Sequence, residues 1–381
     1  MQKSVIIIGA GVSGITTALV LQLLGYRTTI YTEKQFSDSS DDPSFASLYP
    51  SASVIPHSVF SDELEPLFKE SQSVFYALMK AQFPGLSVHK HFEVFEFEKE
   101  QPGYLKWMMN PRFIDELNLN EIPRRSDDIP LHGWSFDCMF ADWPVYFPAL
   151  VEKYQKAGGK IITRKLKSKD IAELPASTII NCSGLGSFAL FNDLEEPLLM
   201  RGHLIRAKSA PLISNSEKEV ISYNYTPKAS EYCDSAGQAC DVYCYPREDG
   251  WILGGSRQSG TVTKTGKWKG EEIKAPFYEI GDIGFPSQII NLNRQIIEHT
   301  FGKAFDDLDD FSAAVGYRFI RNKSNGLRLE KERISGKTIY HNYGHGGAGV
   351  SLSWGCAFKI VEEMESQYDS NELKKKLLHA L

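Results

Sequence analysis

The sequence predicts an α/β protein in which a parallel-sheet domain is interleaved with an α+β domain built on a mostly antiparallel sheet. Three observations predict it. The β-branched run at residues 5–8 is broken by glycines at 9–14, then followed by helix formers at 15–24 and a second strand at 28–31. That is one βαβ unit. The last third repeats the alternation, with a helix at 289–301, a strand at 338–342, a glycine-rich turn at 344–349 and a helix at 351–365. Between these regions the apolar runs are shorter and punctuated by Pro and Gly, as in hairpin-rich sheets. Like segments separated by unlike ones predict discontinuous domains, with 1–55, 150–200 and 310–381 in the first and 56–149 and 201–309 in the second.

The intervening elements follow from local pattern. Residues 36–43 are polar and read as a loop, and 63–82 carry helical apolar spacing at Leu67, Val74, Phe75 and Leu78. A helix is expected at 143–156, a strand at 158–164 after a Gly-Gly turn, and another at 177–182, ended by Ser183 and Gly184. Residues 204–207, 241–245 and 251–254 are candidate strands of the second sheet. The polar stretch 223–238 is too long for a simple connector, and loops of that length in compact domains are usually functional.

Composition narrows the function classes. The chain has 381 residues, 42% hydrophobic and 24% charged, with a net charge of −6. A net negative charge supplies no field for phosphate backbones, so nucleic acid is not expected as a partner. No apolar run reaches spanning length, so no membrane partner is expected, and cytoplasm is the expected location. The six cysteines show no metal-ligand spacing and read as reduced thiols. Cys233 and Cys240 are close enough in sequence to be bridged if oxidised. A homo-oligomer is compatible with the sequence and not fixed by it.

The most informative local pattern is Gly9-x-Gly11-x-x-Gly14 between strand and helix, with Glu33 nineteen positions after Gly14 at the end of the next strand. Gly9 permits the tight turn, Gly11 lets backbone amides approach a pyrophosphate, and Gly14 allows close helix–strand packing. The helix N-terminus favours the phosphates, and Glu33 can accept from a ribose 2′-hydroxyl. This Rossmann-type context points to an adenine dinucleotide and leaves FAD and NAD open. Glu33 argues against NADP, whose 2′-phosphate it would repel.

A second glycine turn, HNYGHGGAGVSLSWGCA at 341–357, also leads from a strand into a helix and presents a positive helix end to an anion. With it the chain resembles the D-amino-acid oxidase family, which includes D-aspartate oxidase. VIIIGAGVSG, IYTEK, TIINCSGLG, RGHLIRA, VYCYP, WILGGSRQSG, VGYRFIR and GLRLEKE all look like family blocks in the family's order, between residue 5 and about residue 357. The resemblance is weaker between blocks, above all at 50–128 and 223–238.

The resemblance implies a Rossmann-type FAD-binding domain with an interleaved α+β substrate domain. FAD would be held by Gly9, Gly11, Gly14, Glu33 and Lys34, by Ala46, Ser47 and Leu48 beneath the flavin, and by Leu166 and Gly184. Gly346, Gly347, Ala348, Gly349, Val350 and Ser351 would wrap the isoalloxazine, with their amides near O2. Arg318 and Tyr243 would bind the substrate α-carboxylate, and the Gly347 carbonyl the amine. Catalysis would then be positioning of a D-amino acid for hydride transfer from Cα to flavin N5, with O2 as the final acceptor and no catalytic side chain required.

Arg257, in GGSRQSG, stands where D-aspartate oxidases resemble GGTRQ, so it would pair either a substrate carboxylate or an internal one. Ala348 departs from the bulky residue of neutral-substrate relatives and would either loosen the flavin contact or enlarge the pocket. His345 reads as structural, Trp143, Trp251 and Trp354 as core or cofactor-edge residues, and His57, Arg247, Asp137 and Asp142 stay unassigned. Alternatives are an acidic-substrate oxidase, a glycine or secondary-amine oxidase, a dehydrogenase, and a flavin-binding protein without catalysis.

Overall fold

The structure is a computed structural model that describes residues 3–37, 42–193, 197–208, 210–263, 267–274, 276–303, 305, 311–321 and 326–380. The chain divides into two compact units, Met1–Ser87, Ala141–Leu198 and Arg318–Leu381 in the first, Val88–Phe140 and Leu199–Tyr317 in the second.

The first unit is a six-stranded sheet in the order Arg328–Ile334, Lys337–Tyr343, Thr178–Asn181, Ser4–Ile8, Arg27–Thr32, Lys160–Thr163. Ser4–Ile8 sits centrally and pairs in parallel with Arg27–Thr32 and Thr178–Asn181. Its isoleucines are buried, as β-branched residues are in a sheet covered on both faces. Helix Val12–Leu23 is buried along most of its length and packs against helix Gly349–Met364. Gly25 closes it with φ +88°, a left-handed position suited to glycine just past a helix end.

The second unit is a ten-stranded sheet. Its spine runs Trp268–Gly270, Gln258–Val262, Leu198–Lys208, Gly250–Gly254, Val242–Arg247, Val220–Thr226, Leu86–Phe95, His132–Ala141, Met109–Phe113, with Phe311–Ile320 also pairing Leu198–Lys208. Alternation assigns its two faces. Phe92, Val94, Ile221, Tyr223, Val242, Cys244, Trp251 and Leu253 point to the core that includes helix Ser287–Phe301. Tyr243, Tyr245, Asn224, Ser222, His91 and Glu93, one position out of phase, share the opposite face.

The expected domain boundaries need correction. Residues 56–87 and 141–149 belong to the first unit, and 199–200 and 311–317 to the second; the first of these shifts follows because the apolar stripe of helix Leu64–Lys80 packs on helix Gly349–Met364. Gly355 marks the contact, since a Cβ there would lie 2.0 Å from the Leu67 carbonyl oxygen. The stretch 223–238 is not one loop either. It begins within strand Val220–Thr226, and a small hairpin follows in which Cys233 bridges Ala239 and Cys240 N–H donates to Tyr232 O at 3.0 Å. Neighbouring positions of that ladder face opposite sides, and Cys233 and Cys240 are both free thiols. Strand Arg328–Ile334 and helix Ser370–Ala380 were not expected from pattern.

Candidate active site

The first glycine turn is built by close backbone approach. Gly9 has φ +104°, and a Cβ on it would lie 2.4 Å from Cys182 O. A Cβ on Gly14 would lie 1.9 Å from Gly9 O, and one on Gly11 2.9 Å from Ser47 Oγ. The turn is tied down by Gly9 N–H to Tyr31 O at 2.8 Å and Ala10 N–H to Thr32 Oγ1 at 3.3 Å. Val12 N–H, in the first turn of the helix, donates to Ser47 Oγ at 3.0 Å, and Trp143 Nε1 fixes Ser47 by donating to its carbonyl at 2.7 Å. Among the described residues, no chain acceptor takes the amides of Gly11, Ser13 and Gly14. They form a donor set of the kind that cradles a pyrophosphate.

The other expected residues of this half divide by what they already hold. Glu33 follows strand Arg27–Thr32 and pairs with Lys165 at 2.6 Å, both exposed. An exposed pair contributes at most about 1 kcal/mol and yields readily to a ribose hydroxyl. Lys34 Nζ pairs with Asp42 at 2.6 Å. Ala46–Leu48 forms one 3₁₀ turn with Ser47 buried. Gly184 has φ +55° with open space where a Cβ would go. The Leu166 side chain packs in the cluster of Ile6, Ile8 and Ile179.

The second glycine turn follows strand Lys337–Tyr343. Gly346, at φ +56°, leaves no room for a side chain, since a Cβ would lie 2.0 Å from Ser58 O. Here the expected role of the amides needs correction. Gly346 N–H donates to Phe319 O at 2.9 Å, Gly347 N–H to Ser58 O at 3.1 Å and Ala348 N–H to His345 O at 2.9 Å. Those three are spent on shaping the turn. The amides of Gly349, Val350 and Ser351, the first turn of helix Gly349–Met364, have no chain acceptor among the described residues. The Ser351 hydroxyl is likewise committed, donating to Ile55 O at 2.8 Å. Ala348 is fully buried.

The two turns converge. A Cβ on Gly349 would lie 3.9 Å from Val12 Cγ1, which sets the N-terminal ends of two helices side by side. A buried chain of hydrogen bonds joins them. His345 Nε2 meets Asn342 Oδ1 at 2.9 Å, Asn342 Nδ2 donates to Thr17 Oγ1 at 3.3 Å, and Thr17 Oγ1 donates to Ser13 O at 2.7 Å. Burial pushes the His345 imidazole down to about 4, so it is neutral and structural. Asn342, Thr17 and Ser58 carried no sequence signal, because their roles depend on partners distant in the chain.

Arg318 is placed against this turn. A Cβ on Gly347 would lie 3.6 Å from Arg318 Cδ. Its sequence neighbour Arg321 is committed elsewhere, gripping Asp193 with two bonds at 3.0 and 3.2 Å in a buried pair. Of the two arginines in VGYRFIR, the one beside Gly347 is Arg318.

Tyr243 and Arg257 lie in the second unit. Tyr243 opposes Gly254 on one neighbouring strand and Asn224 on the other. Arg257 pairs with Asp241, an internal carboxylate, at 2.7 Å. Trp143, Trp251 and Trp354 are core residues, each donating to a buried or nearby acceptor, Ser47 O, Pro211 O and Tyr146 OH.

Two converging helix ends, glycine cradles and open amides fit an extended anionic dinucleotide whose far end also carries negative charge. Residues 4–363 match the family model described as FAD dependent oxidoreductase (DAO). The chain is similar to a D-amino acid oxidase of Dugesia ryukyuensis, 27% identical over 368 residues, covering 92% of this chain and 94% of that protein. It is also similar to human D-aspartate oxidase, 24% identical, covering 93% and 92%. Among solved structures, glycine oxidase from Geobacillus kaustophilus superposes with a TM-score of 0.66 at 14% identity over 97% of both chains, a likeness of fold. No helix among the described residues is long and apolar enough to cross a membrane.

Proposed function

Because the chain belongs to the FAD dependent oxidoreductase (DAO) family and is a flavoenzyme acting on amino acids, we propose that it oxidatively deaminates D-amino acids to 2-oxo acids, with release of ammonia and H2O2. The observation that carries this reading is Arg318 beside Gly347 in the second glycine turn. A guanidinium is a planar, permanently charged fork, suited to grip an α-carboxylate by two parallel bonds. The Gly347 carbonyl is the acceptor for the substrate amine.

FAD, when bound, supplies the two-electron acceptor for the substrate Cα–H. Gly11, Ser13 and Gly14 would hold its pyrophosphate and Glu33 its ribose, and the amides of Gly349, Val350 and Ser351 would supply donors to its anionic end. His345 is neutral and hydrogen-bonded to Asn342. The protein's contribution is therefore orientation of the Cα–H, worth several orders of magnitude by positioning alone.

The test is turnover in air of paired D- and L-amino acids, following H2O2 and ammonia together. Equimolar products from D-enantiomers support the assignment. Turnover of L-amino acids, glycine or sarcosine without the D-series contradicts it.

A further inference from the structure

We propose that the Ser47 hydroxyl is a side-chain ligand of the FAD pyrophosphate rather than a contact beneath the flavin. Ser47, Gly11, Val12 and Trp143 all belong to the first unit. Helix Val12–Leu23 has Gly11 at its N-cap and no acidic side chain in its first turn. A glycine there lets a pyrophosphate come close, but it removes the side-chain oxygen that ordinarily satisfies one of a helix's first amides. The chain supplies that oxygen from 35 residues away. Ser47 Oγ accepts from the Val12 amide at 3.0 Å, while the amides of Gly11, Ser13 and Gly14 stay open among the described residues.

One bond does not exhaust a hydroxyl, which has two lone pairs and a proton. The Val12 amide takes a lone pair, so the proton points elsewhere. Among the described residues no acceptor in the chain receives it. What surrounds it is a set of backbone donors, and a phosphate oxygen is the acceptor that such a set lacks. The position agrees. A Cβ on Gly11 would lie 2.9 Å from Ser47 Oγ, with Phe45 next at 3.8 Å. The hydroxyl therefore stands on the side that the missing side chain of Gly11 leaves open, which is the side a pyrophosphate approaches.

The hydroxyl is also held in place. Ser47 is buried in the single turn Ala46–Leu48. Trp143 Nε1 donates to its carbonyl at 2.7 Å, and the buried indole stacks on Phe147 at 4.8 Å with 9° between the ring planes. A donor fixed in advance loses little freedom when it meets its anion. An O–H donated to a phosphate oxygen is roughly twice as strong as a neutral pair.

The experiment follows FAD release from the holoenzyme by recovery of flavin fluorescence on dilution, in the wild type, Ser47→Ala and Ser47→Thr. Phosphorus NMR and visible spectra of the bound cofactor accompany it. S47A should weaken FAD binding by roughly 10- to 100-fold and move a pyrophosphate resonance, with the visible flavin band in place. S47T keeps the hydroxyl and should hold FAD near the wild-type affinity with wild-type phosphorus resonances. FAD bound by S47A as tightly as by the wild type, or more tightly, overturns the proposal, because the serine would then fill the cradle rather than serve it. So does an S47A spectrum in which the flavin band moves and the phosphorus resonances do not, which would put Ser47 beneath the flavin. If S47A does not fold, S47T decides, and loss of FAD from S47T overturns the proposal. None of these readouts needs turnover, so the D-amino-acid reading and this one fail separately.

Discussion

Asn342 Nδ2 donates to Thr17 Oγ1 at 3.3 Å, and through this bond the strand before the second glycine turn is tied to the helix after the first. Thr17 passes the connection to Ser13 O, and His345 completes it on the other side. Both residues are buried. The two helix ends are therefore set relative to each other by buried side chains.

Asn342→Ala should weaken FAD retention more than it weakens the fold. It leaves His345 and Thr17 with buried polar atoms lacking this partner, a penalty of about 1–3 kcal/mol. Roughly tenfold weaker FAD binding is expected, measured as flavin released on dilution or dialysis. Unchanged occupancy with a lowered melting temperature would assign the network to the fold alone.

Two glycines separate steric from conformational need. Gly14→Ala places a methyl 1.9 Å from Gly9 O and should abolish flavin incorporation, because the obstacle is backbone. Gly184→Ala meets nothing within 4 Å and pays only for φ +55°, a cost of about 1–2 kcal/mol. Purified-protein absorbance and thermal melts distinguish them. Equal behaviour of the two variants contradicts the geometry.

Arg318 and Arg321 should fail in different ways. Arg318→Lys keeps the charge and loses the fork, so kcat/KM should drop roughly 100-fold with an unchanged melting temperature. Arg321→Ala strands Asp193 in a buried site, a loss of about 3–5 kcal/mol in stability. Steady-state kinetics beside urea unfolding reads both effects. A stability loss in R318K comparable to that in R321A would contradict the division of roles.

Acid should destabilise the protein through its buried histidines. His345 is pushed down to about 4 by burial, and His89 and His91 to about 3, by burial and, for His89, by the neighbouring His91. Unfolded imidazoles titrate near about 6.5. Below that value the unfolded chain binds protons that the native state refuses, so stability is complete above it and is lost as pH falls toward 4 and then 3. His345 alone accounts for about 3 kcal/mol of this. Urea unfolding from pH 7 to 4.5 should show the decline, and His345→Gln should make it shallower by one proton. A flat profile contradicts neutral burial of these rings.

The βαβ start was legible because Val5 to Ile8 and the three glycines are local signals of geometry, and helix 143–156 was readable from its own periodicity. The Ser47 cap on Val12, the Asn342–Thr17 bond and the Asp241 partner of Arg257 were not, since each joins residues whose pairing exists only after folding. The amides of Gly346 to Ala348 misled for a similar reason. A glycine turn announces donors, but Phe319, Ser58 and His345 decide which of them are already used. Strand Arg328–Ile334 was hidden by its charged composition, which suits the edge position it occupies in the sheet order.

The most direct measurement is anaerobic mixing of the flavin-loaded protein with single D- and L-amino acids while the visible flavin band is followed. A D-amino-acid oxidase loses that band with D-enantiomers alone, and regains it on admission of air with one H2O2 formed per flavin. A fully loaded protein whose spectrum ignores every D-amino acid, or responds only to L-amino acids or glycine, contradicts the assignment.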